Sequence, residues 1–595
     1  MLEGYRLPHN LMDYTPFPPA HDRAGWAGLP EDTRAALVRR GEEYLGFSWP
    51  AITAADWLAY TRTGNRVDFE DKYFARRRAL CALILAECAE YQGRFLDEAA
   101  NGILLLCEES GWQLPAHNSY IRNTPALPLP CPTRPVLDLF ACETGTLLAT
   151  AVYLLDRALA EVCPILGERV GYELEHRIVT PYLTEWFWWM GGRGEPTLNW
   201  TVWCTQNVLL AAFLGHFSGD IRRRTVLKAT ESLDAFLRDY GEDGCCDEGA
   251  QYYRHAGLCL FGALEVLDRV TQGQLEAVWK EQKIKNIAHY ILNVHVQDRY
   301  YVNFADCSPI AGRAGVREYL FGARCGDGAL CDFAAADWQN IEHKDLPEEI
   351  NLFYRAQAAF SAREVSGHKP AGVRHCEVYY QSVGLFVARD DTYCLAVKAG
   401  DNDDNHNHND TGSFTLYKNG RPFVIDVGVE SYSAKTFSGQ RYEIWTMQSS
   451  YHNLPDFDGV MQSAGAQFRA KEVQTAFGER ESVISLRLED AWPKESGLFS
   501  FGRRVRLLKN RCVVVEDCCA GSFRASVLNL MFCEKPLVSE GRIMLEGLGE
   551  ILLQGAQDVT GEEIPITDAR LLTAWPKTLY RVRVMFDGAL RFEIY

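Results

Sequence analysis

From about residue 30 to 360, apolar side chains recur at three- and four-residue spacing, with little β-branching in runs. That is the period of amphipathic helices. The stretches "RRALCALILAECAEYQGRFLDEAANGILLLCEES", "LFACETGTLLATAVYLLDRAL", "TQNVLLAAFLGHF", "TVLKATESLDAFLRDY" and "GLCLFGALEVLDRVT" carry it most clearly. They predict helices of roughly 12 to 20 residues, separated by loops rich in Gly, Pro, Asn and Asp. Each such helix buries one face on its neighbours, so a long series must stack or close on itself. No fixed solenoid repeat is visible, which favours an incomplete α/α toroid.

After about residue 365 the pattern changes to short strand-like runs with turns between them. "HCEVYYQSVGLFVARDDTYCLAVKAG" reads this way, and "SFTLYKNGRPFVIDVG" reads as a hairpin turning at Asn419-Gly420. "RRVRLLKNRCVVVEDCC" predicts a second hairpin, turning near Lys509-Asn510, and "TLYRVRVMFDGALRFEIY" a third. Regular short strands imply an antiparallel β-sandwich. The expected organisation is therefore multidomain α+β. Residues 1–365 form the α/α toroid and residues 366–595 the β-sandwich domain.

One decamer breaks both patterns. "DNDDNHNHND", residues 401–410, has four Asp, four Asn and two His and no apolar side chain. In an extended strand His406 and His408 would project to the same side. Downstream, Asp426 ends "RPFVID" and His452 lies in "QSSYHNLPDF". Two histidines and a carboxylate with an open fourth position suit Zn²⁺, and equally non-haem Fe(II) or Mn²⁺. The plainer alternative is a hydrogen-bonded loop with Asp426 capping a turn.

Composition narrows the classes of partner. The 595 residues are too many for one core. A net charge of −18 argues against a general nucleic-acid or anionic-membrane binder. The 14 Trp, 27 Tyr and 29 Phe suit large cores, and also sugar-binding clefts. The N-terminus has no basic or apolar leader, and no apolar run reads as long enough to span a bilayer. The 19 scattered cysteines read as reduced thiols. Together these give the expectation of a cytoplasmic protein, with homo-oligomerisation left open.

The segment "NHNHNDTGSFTLYKNGRPFVIDVGVESYS", with "SSYHNLP" about 20 residues later, resembles the β domain of the heparinase II/III-like polysaccharide lyase family. In the helical half, "CEESGWQLPAHNSY", "LDLFACETGTLLA", "LNWTVWCTQNVLLAA" and "DGCCDEGAQYYRHAG" resemble segments of the toroid that accompanies that domain. The resemblance spans roughly residues 75 to 460, and its most specific element is the His-x-His segment. It implies β-elimination at a 4-O-linked uronic acid. A base removes the C5 proton, an acid protonates the leaving sugar oxygen, and the substrate carboxylate is neutralised.

The resemblance also assigns roles. Asn199 matches the amide that binds the substrate carboxylate; read alone, Asn199 is an N-cap of the helix starting at Trp200. Tyr252 matches the catalytic tyrosine, with Tyr253 one register away. His406 matches the catalytic histidine, as base or carboxylate neutraliser. His408, Asp426 and His452 match the ligands of one divalent metal, most simply a structural Zn²⁺. Further candidates for substrate contact are Trp112, His117 and Asn118 in "WQLPAHNSY", Arg254 and His255, and Tyr432 and Arg441. Arg193 is a weaker one.

The expected substrate is a uronate-containing oligo- or polysaccharide, glycosaminoglycan-like first and alginate-like second. Two rivals remain. One is a glycoside hydrolase on the same scaffold, using Asp243, Asp247 and Glu248. The other is a cupin-type metalloenzyme, which would leave the helical half without a role.

Overall fold

The structure is a computed structural model, and it describes Leu2, Pro8 and residues 10–595. It divides into two compact units. One comprises Met1–Tyr240, His255–Lys285 and Ala314–Val373; the other comprises Gly241–Arg254, Asn286–Arg313 and Arg374–Tyr595. The last change of unit falls at 373/374, and two earlier segments pass into the β unit and back. The segments 241–254 and 286–313 are counted with the β unit although they lie in the helical half of the sequence. Helical periodicity identifies elements, and it carries no information on which core a connecting loop joins.

In the helical unit the predicted helices form. The first long apolar run splits into Val67–Glu90 and Leu96–Cys107. Tyr91 ends the first helix in the left-handed region (φ 57°), donating its N–H to Glu87 O. "TQNVLLAAFL" lies in the helix Asn199–Leu214, in which every residue but Trp200 is buried. It packs against Leu139–Val162, Gly219–Asp239 and Gly257–Val270. A helix surrounded on several sides has no polar face, so its sequence is apolar all round. Leu139–Val162 is long and apolar enough to cross a membrane by length and composition, contrary to the sequence expectation, and most of it is buried inside this unit.

The β unit holds a five-stranded antiparallel sheet and a ten-stranded sheet among the described residues. The smaller is a meander of Val378–Tyr380, Leu385–Arg389, Tyr393–Lys398, Phe414–Lys418 and Arg421–Val424. Its Asn419-Gly420 turn has φ of 50° and 73°, the pair of positive angles a two-residue hairpin turn demands. Phe386, Leu395, Val397, Phe414 and Leu416 from this sheet share a core with Ile484, Phe501, Val505, Val515 and Phe592 from the larger one. The structure is thus a helical unit plus an antiparallel β-sandwich, as the sequence pattern implies.

The second hairpin forms between Leu498–Leu508 and Cys512–Gly521, pairing Leu508 with Cys512. The third does not. Thr578–Ile594 is one 17-residue strand, and Asp587-Gly588 lies within it. Gly588 (φ 66°) lies where the strand changes partner from Ser526–Phe532 to Cys512–Gly521. The facing strand bulges at Gly555 (φ 92°), where a Cβ would sit 2.5 Å from Ala589 O. An Asp-Gly pair supplies a positive φ, and a bulge uses it as readily as a turn.

Arg503 ties this scaffold to the polar loops. It is buried, with Nε 2.8 Å and Nη2 2.7 Å from the two oxygens of Asp517. Its Nη1 donates to Gly412 O at 2.7 Å and Asn453 O at 3.0 Å. One guanidinium thus fixes the end of the histidine loop and the residue after His452. Arg503→Met should leave the Asp517 carboxylate buried and unpaired, lowering stability by about 3–5 kcal/mol. Urea denaturation followed by fluorescence checks this, and an unchanged midpoint would contradict it.

Candidate active site

The decamer is not an extended strand. Only Asp401–Asn402 pairs in a strand, and His406 sits at φ 55°, a left-handed conformation that costs a non-glycine residue energy. Its polar side chains hold the loop. Asn402 is fully buried. Its Oδ1 accepts from the N–H of Asp410 (3.2 Å), the N–H of Thr411 (3.3 Å) and the Thr411 hydroxyl (2.8 Å). Its Nδ2 donates to Gln462 Oε1 and Ser463 O, both at 3.0 Å. Lys398, also buried, lies 2.7 Å from Asp404. Burial opposes its charge, but Asp404 and Asp410 outweigh that and hold its pKa above the ordinary lysine value. Asn405 donates to Asp247 at 2.6 Å, and Asn407 to the Tyr442 hydroxyl at 3.0 Å.

The two histidines converge on one carboxylate, that of Asp306. His406 Nδ1 lies 2.7 Å from Oδ2 and His408 Nε2 3.0 Å from Oδ1. Arg441 Nη2 adds a bond to Oδ1 at 2.6 Å. The other ring nitrogen of His406 faces Glu248 at 3.3 Å. Burial pulls the His406 imidazolium down, but Glu248 and Asp306 together hold its pKa above the ordinary value. Burial likewise raises the Asp306 carboxyl, and the two histidines outweigh it, so this acid titrates well below the usual range.

Tyr432 Oη stands 3.4 Å from His406 Nδ1, and its hydroxyl shares a short hydrogen bond with that of Tyr252. The Tyr252 and His406 rings lie 4.9 Å apart. Burial, then Tyr432 and Glu248, push the Tyr252 phenol well above its ordinary pKa, with Arg570 acting in the opposite direction. Arg570 lies 4.8 Å over the Tyr432 ring and donates to Gln251 Oε1 and Asp306 O. Phe437, largely exposed, closes one side against Tyr432 and His406. The two neighbouring tyrosines have different surroundings. Tyr253 is buried, its ring tilted against that of Tyr290, with its hydroxyl donating to Ala288 O.

Next to this cluster, one ligand atom from each of His408, Asp426 and His452 lies within 4.8 Å of the others, all buried. His408 Nε2 is taken by Asp306, and its Nδ1 is buried with no hydrogen-bond partner. His452 Nε2 faces Thr446 O at 2.9 Å, and its Nδ1 lies 2.7 Å from Asp426 Oδ2. Asp426 Oδ1 accepts from Gly428 N and Asn303 Nδ2. Each group is oriented from behind and presents a donor atom toward the others, the arrangement a divalent cation requires.

The helical unit holds the remaining candidates. Asn199 is the first residue of its helix, with Leu198 at the cap position, so the N-cap reading does not hold. Its neighbour Trp200 lies against His117 and Trp188. His117 Nδ1 is 2.7 Å from Asp138. His255 stacks on Trp203 at 3.9 Å, and the Trp203 indole donates to buried Glu143. Arg193 lies over the Trp186 ring.

Three expected substrate contacts are corrected. Trp112 is buried, its indole N–H bonded to Leu106 O. Asn118 is buried between Gln113 and Leu127 O. A Pro-flanked polar run that breaks a helical pattern reads as a cleft signal, but these two side chains are spent on internal hydrogen bonds, Trp112 to Leu106 O and Asn118 to Gln113 and Leu127 O. In the β unit, Arg441 spends its donors on Asp306, Asn407 O and Thr436 O, so it braces the loop rather than facing solvent. Arg254 donates to the Arg313 carbonyl. The acids of the hydrolase reading are also engaged: Asp243 accepts from Ser382, Asp247 from Asn405, and Glu248 faces His406.

Sequence reading missed Asp306 and Arg570. Asp306 stands in "YVNFADCSP", and an acid flanked by apolar residues in a loop is the one signal that was there. Arg570, in "ITDARLL", gave none.

The class this fold and site define is a helical unit joined to a β-sandwich that carries a Tyr–Tyr–His–carboxylate cluster beside a His₂Asp set. Residues 374–547 match the Heparinase II/III-like, C-terminal family, so this segment of the β unit is a heparinase II/III-like domain. No curated protein matches the chain in sequence. Solved structures do in fold. A heparinase III has 13% identity and a TM-score of 0.60, covering 100% of this chain and 88% of its own. A second heparinase III has 14% identity and a TM-score of 0.59, covering 98% and 86%. Heparan sulfate lyase HepC from Pedobacter heparinus has 14% identity and a TM-score of 0.57, covering 95% and 83%.

Asn402→Ala removes the acceptor of three loop donors at once. Even partial rescue by water should leave a loss of about 2–4 kcal/mol, read as a lowered urea midpoint. A stability within experimental error of the wild type would contradict the account of the loop.

Proposed function

We propose that the protein is a polysaccharide lyase that cleaves 4-O-linked uronic acid glycans by β-elimination, with glycosaminoglycan-type chains as the first substrate class. The observation that carries this reading is the hydroxyl of Tyr252 packed against Tyr432 and the imidazole of His406. The heparinase-type fold and the family match over residues 374–547 support it.

In this reading Tyr252, as phenolate, takes the C5 proton, which lies α to the substrate carboxyl group. The C5 electron pair forms the C4=C5 double bond, the C4–O bond breaks, and its pair leaves on the glycan oxygen. The phenol then returns the same proton to that oxygen, so no water is consumed. A phenol with a raised pKa ionises reluctantly, but its phenolate is a strong base, which a weakly acidic carbon proton demands. His406, flanked by Asp306 and Glu248, is held toward the imidazolium form. That favours the role of neutralising the substrate carboxylate, whose charge grows in the transition state. The family resemblance gives Asn199, in the helical unit, the role of an uncharged amide donor to the substrate carboxylate.

His408, Asp426 and His452 would hold one divalent cation, most simply Zn²⁺. The cation would supply structural anchoring to the loop bearing His406. Alginate-like oligouronates are the alternative substrate, and an intracellular location on imported oligosaccharides is part of the same proposal.

The test is near-ultraviolet absorbance over a panel of uronate glycans, since elimination creates a conjugated double bond. Tyr252→Phe and His406→Ala should each reduce kcat/KM by roughly 10²–10⁴-fold. No absorbance gain on any glycan would remove the lyase reading. Loss of absorbance on already unsaturated sugars would favour a hydrolase. For the cation, elemental analysis should find one metal per chain in the wild type and none in His408→Ala.

A further inference from the structure

Among the described residues, the Asp306 carboxylate is the group hydrogen-bonded to both histidines of the polar loop. Oδ2 meets His406 Nδ1 at 2.7 Å, and Oδ1 meets His408 Nε2 at 3.0 Å. The side chain is fully buried, so neither oxygen is free to turn to solvent. It is also braced. Arg441 donates to Oδ1, and Arg570 donates to the Asp306 backbone carbonyl at 2.9 Å. Arg441 in turn holds the loop itself through Asn407 O at 3.0 Å. The one residue between the two histidines is therefore fixed by the same guanidinium that fixes the carboxylate.

This geometry has a mechanical consequence. Asp306 holds His408 Nε2, and the buried Nδ1, which has no hydrogen-bond partner, is left as the nitrogen to ligate a cation with Asp426 and His452. A shift of the His408 ring moves Oδ1, and the rigid carboxylate carries the shift to Oδ2 and hence to His406. Resting on the functional reading above, we propose that Asp306 is a positioning residue that couples divalent-cation occupancy of the His408–Asp426–His452 set to the orientation of His406. An asparagine could not do the same. Its amide has one acceptor oxygen and would present an NH₂ to the second histidine, breaking one of the two contacts.

The experiment titrates Zn²⁺ into chelator-stripped, full-length protein labelled with ¹⁵N-histidine. Imidazole resonances are followed, His406 being identified by its loss in His406→Gln. In the wild type the His406 resonances should move as Zn²⁺ fills the site. In Asp306→Asn, competition with a chelator should give an affinity lowered about 10–100-fold, and the His406 shift should be reduced or lost. His406→Gln itself should keep near-wild-type Zn²⁺ affinity, which separates coupling from a general collapse of the loop.

The outcomes are distinguishable. If the wild type takes up no Zn²⁺, both the cation reading and the coupling fail. If it does, but His406 does not respond, the coupling alone is overturned; this holds whether or not Asp306→Asn folds. Equal affinity and an equal His406 response in Asp306→Asn would also overturn it.

Discussion

The site is organised around a buried anion. A carboxylate removed from water is costly unless donors surround it, and Asp306 has two imidazoles and a guanidinium on its side chain. Those partners cannot be placed independently. Three side chains from a loop and a following 3₁₀ turn must reach one point, so the loop between them has almost no freedom. The chain turns through a left-handed backbone at His406, the residue whose ring meets Asp306. The density of Asn and Asp in the decamer has the same origin. An irregular buried loop has no ladder to satisfy its backbone, so side chains such as Asn402 supply the partners.

Electrostatics then separate the tasks of chemically similar groups. His406, His408 and His452 are all buried, yet they differ in what faces them. His406 lies between two carboxylates, which outweigh burial and hold its pKa above the ordinary value. His408 shares Asp306 but stands beside His452, and burial keeps its pKa below the ordinary value. Burial opposes the charge on His452 as well, but Asp426 outweighs it and raises the pKa to about 8. The two tyrosine hydroxyls share a hydrogen bond, and the Tyr432 ring packs edge-on against Phe437. At 13–14% identity to heparinase-type structures, the fold is retained although few residues are shared.

Local patterns in the sequence carried much of this. The helices Leu139–Val162, Asn199–Leu214, Gly219–Asp239 and Gly257–Val270, and the turns at Asn419-Gly420 and Asn510, are visible because periodicity and turn chemistry act over a few residues. His406, His408, Asp426 and His452 could be paired as candidates because a polar decamer amid apolar strands is locally anomalous. What tertiary structure alone decided is of another kind. It sent Trp112 and Asn118 into the core, ran Thr578–Ile594 straight through an Asp-Gly pair, and turned Arg441 inward. Above all it brought Asp306, about 100 residues upstream, between the two histidines. A lone aspartate in a loop has no periodicity and no neighbours that mark it. Its meaning lies in what packs against it, and contacts between distant segments are set by the global fold, which local spacing does not encode.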